Sequence, residues 1–209
     1  PTIPEFDDGA QPVLEAQVVE VADEIAYNNH DLDDGLAAGM ITTEQLEQFE
    51  GWRRASEALG PPPAGLSPKV RERQTIIRLI NLQVTDLVEQ TIARLRDLGI
   101  SNVDDVRAAG SRLFALSEDV ARAKRELEAF LYEKVYHHSR VVRMMAKAKR
   151  FIRALFESYV SDERQLPEAQ REAAQADGLE RVICDYIAGM TDRFAQDEYM
   201  KLFYPYERV

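Results

Sequence analysis

Val13-Leu14-Glu15-Ala16-Gln17-Val18-Val19-Glu20-Val21-Ala22-Asp23-Glu24-Ile25-Ala26-Tyr27-Asn28-Asn29-His30-Asp31-Leu32 is the run whose periodicity decides the fold. At about 100° per residue, Leu14, Val18, Val21, Ile25 and Leu32 fall on one side of a helix, the stripe that a core buries. Counted from Asp23, the residues Ala16, Glu20, Tyr27, His30, Asp31 and Asp34 lie within about 80° on the opposite side. The run therefore predicts an amphipathic helix with two coherent faces, one aliphatic and one built of acids and a tyrosine. Taken alone, such a polar face reads as solvated surface.

The same period continues outward. Residues 1–11 show no period and read as an extended lead-in, with Pro12 suited to a first turn. Thr42 followed by Gln45 predicts a capping box that opens a helix through about Leu59, which the run Gly60-Pro61-Pro62-Pro63-Ala64-Gly65 must end. Ser67-Pro68 reads as an N-cap and first-turn pair for a long helix ending near Gly99. Further helical runs are expected over residues 102–109, 118–137, 140–160, 167–176, 179–189 and 192–203. Gly189 and then Thr191-Asp192 read as a helix stop and a new N-cap, which gives Asp185, Asp192 and Arg193 structural roles. No stretch alternates with period two. The expected fold is all-α, a multi-helix globule forming one body over 1–209.

Composition narrows the function classes. The chain has 209 residues, 45% of them hydrophobic, enough for a sizeable core. Its formal net charge of −11 repels polyanions and argues against general coating of nucleic acid. The one cysteine cannot form an intramolecular disulfide, and no signal peptide or membrane span is legible, so the expected setting is cytoplasmic, without a membrane partner. Because the first residue is Pro1 and not methionine, an artificial boundary, processing or a missing upstream segment is expected.

Three segments carry a resemblance. Leu14 to Leu36, containing Asn28-Asn29-His30-Asp31-Leu32-Asp33-Asp34-Gly35-Leu36, resembles the signature helix of dGTPase-like deoxynucleoside triphosphate triphosphohydrolases of the HD-domain superfamily. Arg78-Leu79-Ile80-Asn81-Leu82-Gln83-Val84-Thr85-Asp86 is similar to that family's central helix. Cys184-Asp185-Tyr186-Ile187-Ala188-Gly189-Met190-Thr191-Asp192-Arg193-Phe194-Ala195 is similar to its C-terminal signature. The matches run in the family's order and imply an HD-domain-type globule, the C-terminal part of that fold. Residues 1–36 would form the lead-in and the last metal-ligand helix, and 37–209 the C-terminal helical region.

The resemblance also implies chemistry. Asp23 matches the last ligand of a divalent metal of the Mg²⁺ or Mn²⁺ class, and Tyr27 and Asp31 match positions on the deoxyribose and its 3′-hydroxyl. Four residues advance about 6 Å along one helical face, so one helix spans metal to sugar. The implied reaction is hydrolysis of a dNTP to deoxynucleoside and triphosphate. The family's other three ligands, a histidine and a His-Asp pair, should lie N-terminal to Asp23, yet no histidine occurs among the 22 residues before it. A complete site is therefore expected to need the missing N-terminal HD half, and this chain alone is not expected to hold the metal tightly.

His30 lies on the sugar side and is a weaker substrate candidate. His137-His138 diverge by about 100° and fit helix-end capping better than a shared metal. Lys69, Arg71 and Arg73 open the long helix and are candidates for the triphosphate tail. Arg140, Arg143 and Lys147 form a basic stripe that suits nucleotide phosphates, in the site or between subunits, or else a solvated face. A homo-oligomer is implied by the resemblance. The alternative function is a catalytically inactive nucleotide-binding or regulatory helical module without the metal centre.

Overall fold

The computed structural model describes residues 10–205, so the expected lead-in over residues 1–9 lies outside the described residues. Among those described the chain is helical throughout, without strands, an all-α protein as the periodicity predicts. No described helix is long and apolar enough to cross a membrane. Packing divides the chain into two units, the first ending at His138 and the second starting at Ser139.

In the first unit, α1 (Leu14–Ala37), α2 (Thr43–Leu46), α3 (Glu50–Glu57), α4 (Pro68–Asp97), α5 (Val103–Ala108) and α6 (Glu118–Leu131) are followed by a π turn, Tyr132–Tyr136. Its core gathers Leu32, Ile41, Leu46, Trp52, Ile76, Leu79, Leu127, Phe130, Leu131 and Val135. Ile25 and Leu32 of the expected α1 stripe are buried, while Leu14, Val18 and Val21 are half-buried. Two amides complete the buried side. Gln17 donates to the Pro12 carbonyl (2.7 Å) and accepts from the Leu113 N–H (2.8 Å), tying the start of α1 to the segment before α6. Asn29 donates to the Ile25 carbonyl (2.7 Å) and to Oε1 of Gln83 on α4 (3.3 Å).

Gly35 explains how closely this unit packs on α1. An added Cβ there would lie 3.0 Å from Val135 Cγ2 and 3.1 Å from Ile41 Cδ1, so only hydrogen leaves room for both. The Thr42–Gln45 capping box forms, but the expected helix through Leu59 does not run unbroken. Phe49 is extended (φ −88°, ψ 127°) and places its ring 4.9 Å from that of Phe130. Arg53 takes up the carbonyls freed at the break, donating to Glu47 (3.1 Å) and Gln48 (3.0 Å). Ser67 precedes α4 without a side-chain cap bond, and Pro68 alone supplies the first-turn signal.

The helix α4 has 30 residues and two apolar faces. Ile76, Leu79 and Leu87 face the core, whereas Val70, Ile77, Val84, Val88 and Ile92 form a second, exposed stripe centred about 130° around the helix from it.

In the second unit, α7 (Ser139–Ser161), α8 (Glu168–Asp177), α9 (Leu179–Ala188) and α10 (Asp192–Phe203) surround Leu155, Tyr159, Leu166 and Ile183. Thr191 caps α10 by accepting from the Phe194 N–H (3.3 Å), as the sequence predicts. Gly178, at φ +87°, makes the turn between α8 and α9 that a side chain would strain.

Candidate functional site

The acid-and-tyrosine face of α1 is open. Asp23 and His30 are exposed, Tyr27 is 58% exposed and Asp31 is half-buried. The flank of that face is fastened to residues 112–136 at nearly every turn. Glu20 pairs with Arg112, and Glu24 accepts from Lys124 (2.9 Å). Asn28 donates to Glu128 (2.6 Å), and Asp31 accepts from the Tyr136 hydroxyl. With Glu20 and Glu24 held in ion pairs, Asp23 is the acid of its turn left facing outward.

Lys124 is the clasp of this arrangement. Its ammonium donates to both Glu24 (2.9 Å) and Glu128 (2.6 Å), and its side chain is only 12% exposed. Burial lowers its pKa, but the bonds to Glu128 and Glu24 outweigh burial and leave it raised. Lys124 is therefore a fixed positive charge beneath the outward acids.

Tyr136 is the site residue that sequence reading missed. It sits 105 positions from Asp31, at the end of a π turn that inserts one residue into the helical ladder. That insertion turns Tyr136 toward α1 while Val135 stays in the core beside Gly35. Burial, then the Asp31 carboxylate and then Tyr27 push its hydroxyl pKa well above the usual tyrosine value. Tyr27, Asp31 and Tyr136 thus form one cluster in which the Tyr136 phenol donates to the Asp31 carboxylate and neighbours the Tyr27 hydroxyl.

Linkage gives this cluster a pH signature. A phenol whose folded pKa is raised stabilises the fold fully below the unfolded value of about 10, and the contribution disappears as pH rises through the folded value. Tyr136 and the buried Tyr159 of the second unit, raised by burial and by Glu198, are the two affected most. In an ultraviolet titration these two of the 8 tyrosines should ionise last, coincident with loss of helix. Ionisation of all eight together near pH 10 with helix intact would contradict the cluster.

The basic candidates fare differently. Arg71 is a structural clamp, donating to the Ser56 carbonyl (2.7 Å) and the Gly60 carbonyl (2.7 Å) and so satisfying the end of α3. Arg71→Ala is expected to cost about 2 kcal/mol through these charge-assisted bonds, read as a lowered melting temperature. Lys69 is exposed, and Arg73 is exposed at 3.8 Å from Asp33, a weak pair. Arg140, Arg143 and Lys147 lie exposed on the first half of α7 in the other unit, with Lys147 5.3 Å over the Phe151 ring. His137 closes the π turn, its Nδ1 2.8 Å from the Tyr132 carbonyl, the helix-end role expected of it.

Among the described residues, no three His, Cys, Asp or Glu side chains converge as a metal site. Asp23 offers one carboxylate, and one donor does not hold a hard divalent ion, which takes six or so oxygens. The residues present do not by themselves fit a metal centre.

Known proteins place this geometry in context. The family described as phosphohydrolase-associated domain matches residues 114–201. A deoxyguanosinetriphosphate triphosphohydrolase-like protein of Geobacter metallireducens is 46% identical over 207 residues, covering 99% of this chain and 54% of its own length. Its counterpart in Geobacter sulfurreducens is 47% identical over 98% of this chain and 53% of its own length, and that of Azoarcus sp. 46% identical over 95% and 52%. The chain spans about half the length of the curated relatives it matches.

Proposed function

We propose, from the premise that this chain is the C-terminal portion of a member of the deoxyguanosinetriphosphate triphosphohydrolase-like family, that it supplies the sugar-binding wall and one metal ligand of a dNTP triphosphohydrolase. The observation that carries this reading is the cluster of Tyr27, Asp31 and Tyr136, which begins one turn along α1 from the outward carboxylate of Asp23 and extends to the next turn. Asp31 accepts the 3′-hydroxyl of a deoxyribose, and the two tyrosines give the sugar an apolar wall with polar tips.

Asp23 would be one ligand of a divalent metal of the Mg²⁺ or Mn²⁺ class, and such an ion would supply charge stabilisation at the α-phosphate. The overall hydrolysis adds water at the α-phosphorus and breaks the P–O5′ bond, giving deoxynucleoside and tripolyphosphate. The remaining ligands come from the rest of the full-length protein. The exposed aliphatic stripe of α4 supports a larger body, because a helix apolar on two faces belongs inside one. Lys69, Arg73, Arg140, Arg143 and Lys147 are the exposed cations that would meet phosphates, and His30 would meet the substrate edge.

The test is tripolyphosphate release from each dNTP with Mn²⁺. Full-length protein is expected to turn over, and this chain alone is not. Turnover by this chain that vanishes in Asp23→Ala would show that its own residues complete the site. Binding of dNTP without turnover by the full-length protein would favour the regulatory-module reading.

A further inference from the structure

Between α3, α4 and α6 lies a cavity of about 250 Å³, apart from the acid-and-tyrosine face of α1 although Lys124 borders both. Its walls are apolar, formed by Phe49, Trp52, Leu79, Val120, Ala123 and Leu127. Small residues keep it open. Gly51 faces it with no side chain, and a Cβ there would meet Leu79 Cδ1 at 3.4 Å and Ala123 Cβ at 3.8 Å. The cavity opens to solvent along one side, and an apolar occupant of matching shape would gain dispersion contacts with this lining.

The charges around the cavity are not balanced. Two cations line it, and both are already engaged: Arg54 pairs with Glu50, and Lys124 holds Glu24 and Glu128. Of the remaining acids, Asp119 pairs with Arg122. Asp86 and Glu89, one turn apart on α4, line the same wall without a cationic partner among the ion pairs. Asp86 is half-buried and spends one oxygen, Oδ2, on the Ser117 N–H (2.7 Å), which fixes its carboxylate in place.

We propose that this cavity is a binding site for a small organic cation: one apolar ring seated against Trp52 and Leu79, with an ammonium group directed at Asp86 and Glu89. Size selects the ring. Ligand pockets commonly run from about 300 to 1,000 Å³, so a cavity at or below the low end takes a single ring and excludes a nucleotide triphosphate. Charge selects the head group, since two carboxylates on one wall repel anions and gain from a charge-assisted bond to an ammonium. The site is thus distinct in ligand class from the face of α1.

Trp52 is the only tryptophan in the chain and lies in the wall, so its emission reports occupancy directly. The probes are phenethylammonium, its neutral isostere 2-phenylethanol and the anion phenylacetate, each titrated into this chain at neutral pH. A saturable change in Trp52 emission is expected, with affinity falling from cation to neutral to anion. Ala123→Leu, which fills the space, should abolish the response. Asp86→Asn with Glu89→Gln keeps an acceptor for the Ser117 N–H and removes both charges. This double variant should bind the cation about tenfold or more weakly while leaving 2-phenylethanol unaffected. Circular dichroism confirms that each variant is folded. No saturable response to any probe, equal affinity for cation and anion, or an unchanged cation affinity in the double variant overturns the proposal.

Discussion

Asp23→Ala in the full-length protein is expected to reduce dNTP hydrolysis by more than a hundredfold and to lower its bound manganese in parallel. Groups that merely orient a metal ligand cost about 10- to 100-fold when removed, so a ligand itself should cost more. Asp31→Asn, about two turns further along α1, should act differently. It leaves the metal in place and weakens the grip on the 3′-hydroxyl, so KM rises and the preference for a dNTP over its 3′-deoxy analogue falls. Metal analysis and tripolyphosphate release on the same samples separate the two. Full turnover with unchanged metal in Asp23→Ala would remove Asp23 from the site. Equal discrimination by wild type and Asp31→Asn would remove Asp31 from the sugar.

Tyr159→Ala is expected to unfold the second unit. Tyr159 is fully buried, and with Leu155, Leu166 and Ile183 it is one of four buried residues in that core cluster. Truncating an aromatic side chain in a core costs about 3–5 kcal/mol, a large part of what a small unit possesses. Tyr159→Phe keeps the ring and loses only a long bond to Glu198 (3.3 Å), so its cost should be about 1 kcal/mol. Urea unfolding of the two variants gives the comparison. Near-equal midpoints would mean that the ring is not what holds the unit together.

Local signals were legible and distant ones were not. The Thr42 capping box and the Thr191 cap are written in adjacent residues, and the structure contains both. The division of the expected helix at Phe49 was not legible, because its cause is the ring of Phe130, 81 residues away. The side of α1 that enters the core was legible in Ile25 and Leu32, but the buried Gln17 and Asn29 were not. Their burial depends on Leu113 and Gln83, whose proximity only the folded chain reveals. Arg71 illustrates the reverse error. A cation in the first turn of a helix reads as an anion site, yet this one reaches back to satisfy the preceding helix. Around the candidate site, the α1 residues belong to one short motif, whereas Tyr136 reaches them only through the geometry of a turn.

That turn makes the segment Tyr132–Tyr136 sensitive to length before it is sensitive to identity. Tyr132 and Glu133 are exposed and their side chains are open to exchange. Deleting either one would close the ladder into ordinary α-helix and rotate everything beyond it by about 100°, carrying the phenol away from Asp31 and Val135 off Gly35 together. A single-codon gap here would disconnect the end of the first unit from the helix that bears the candidate site, although a change of side chain at the same position leaves that connection intact.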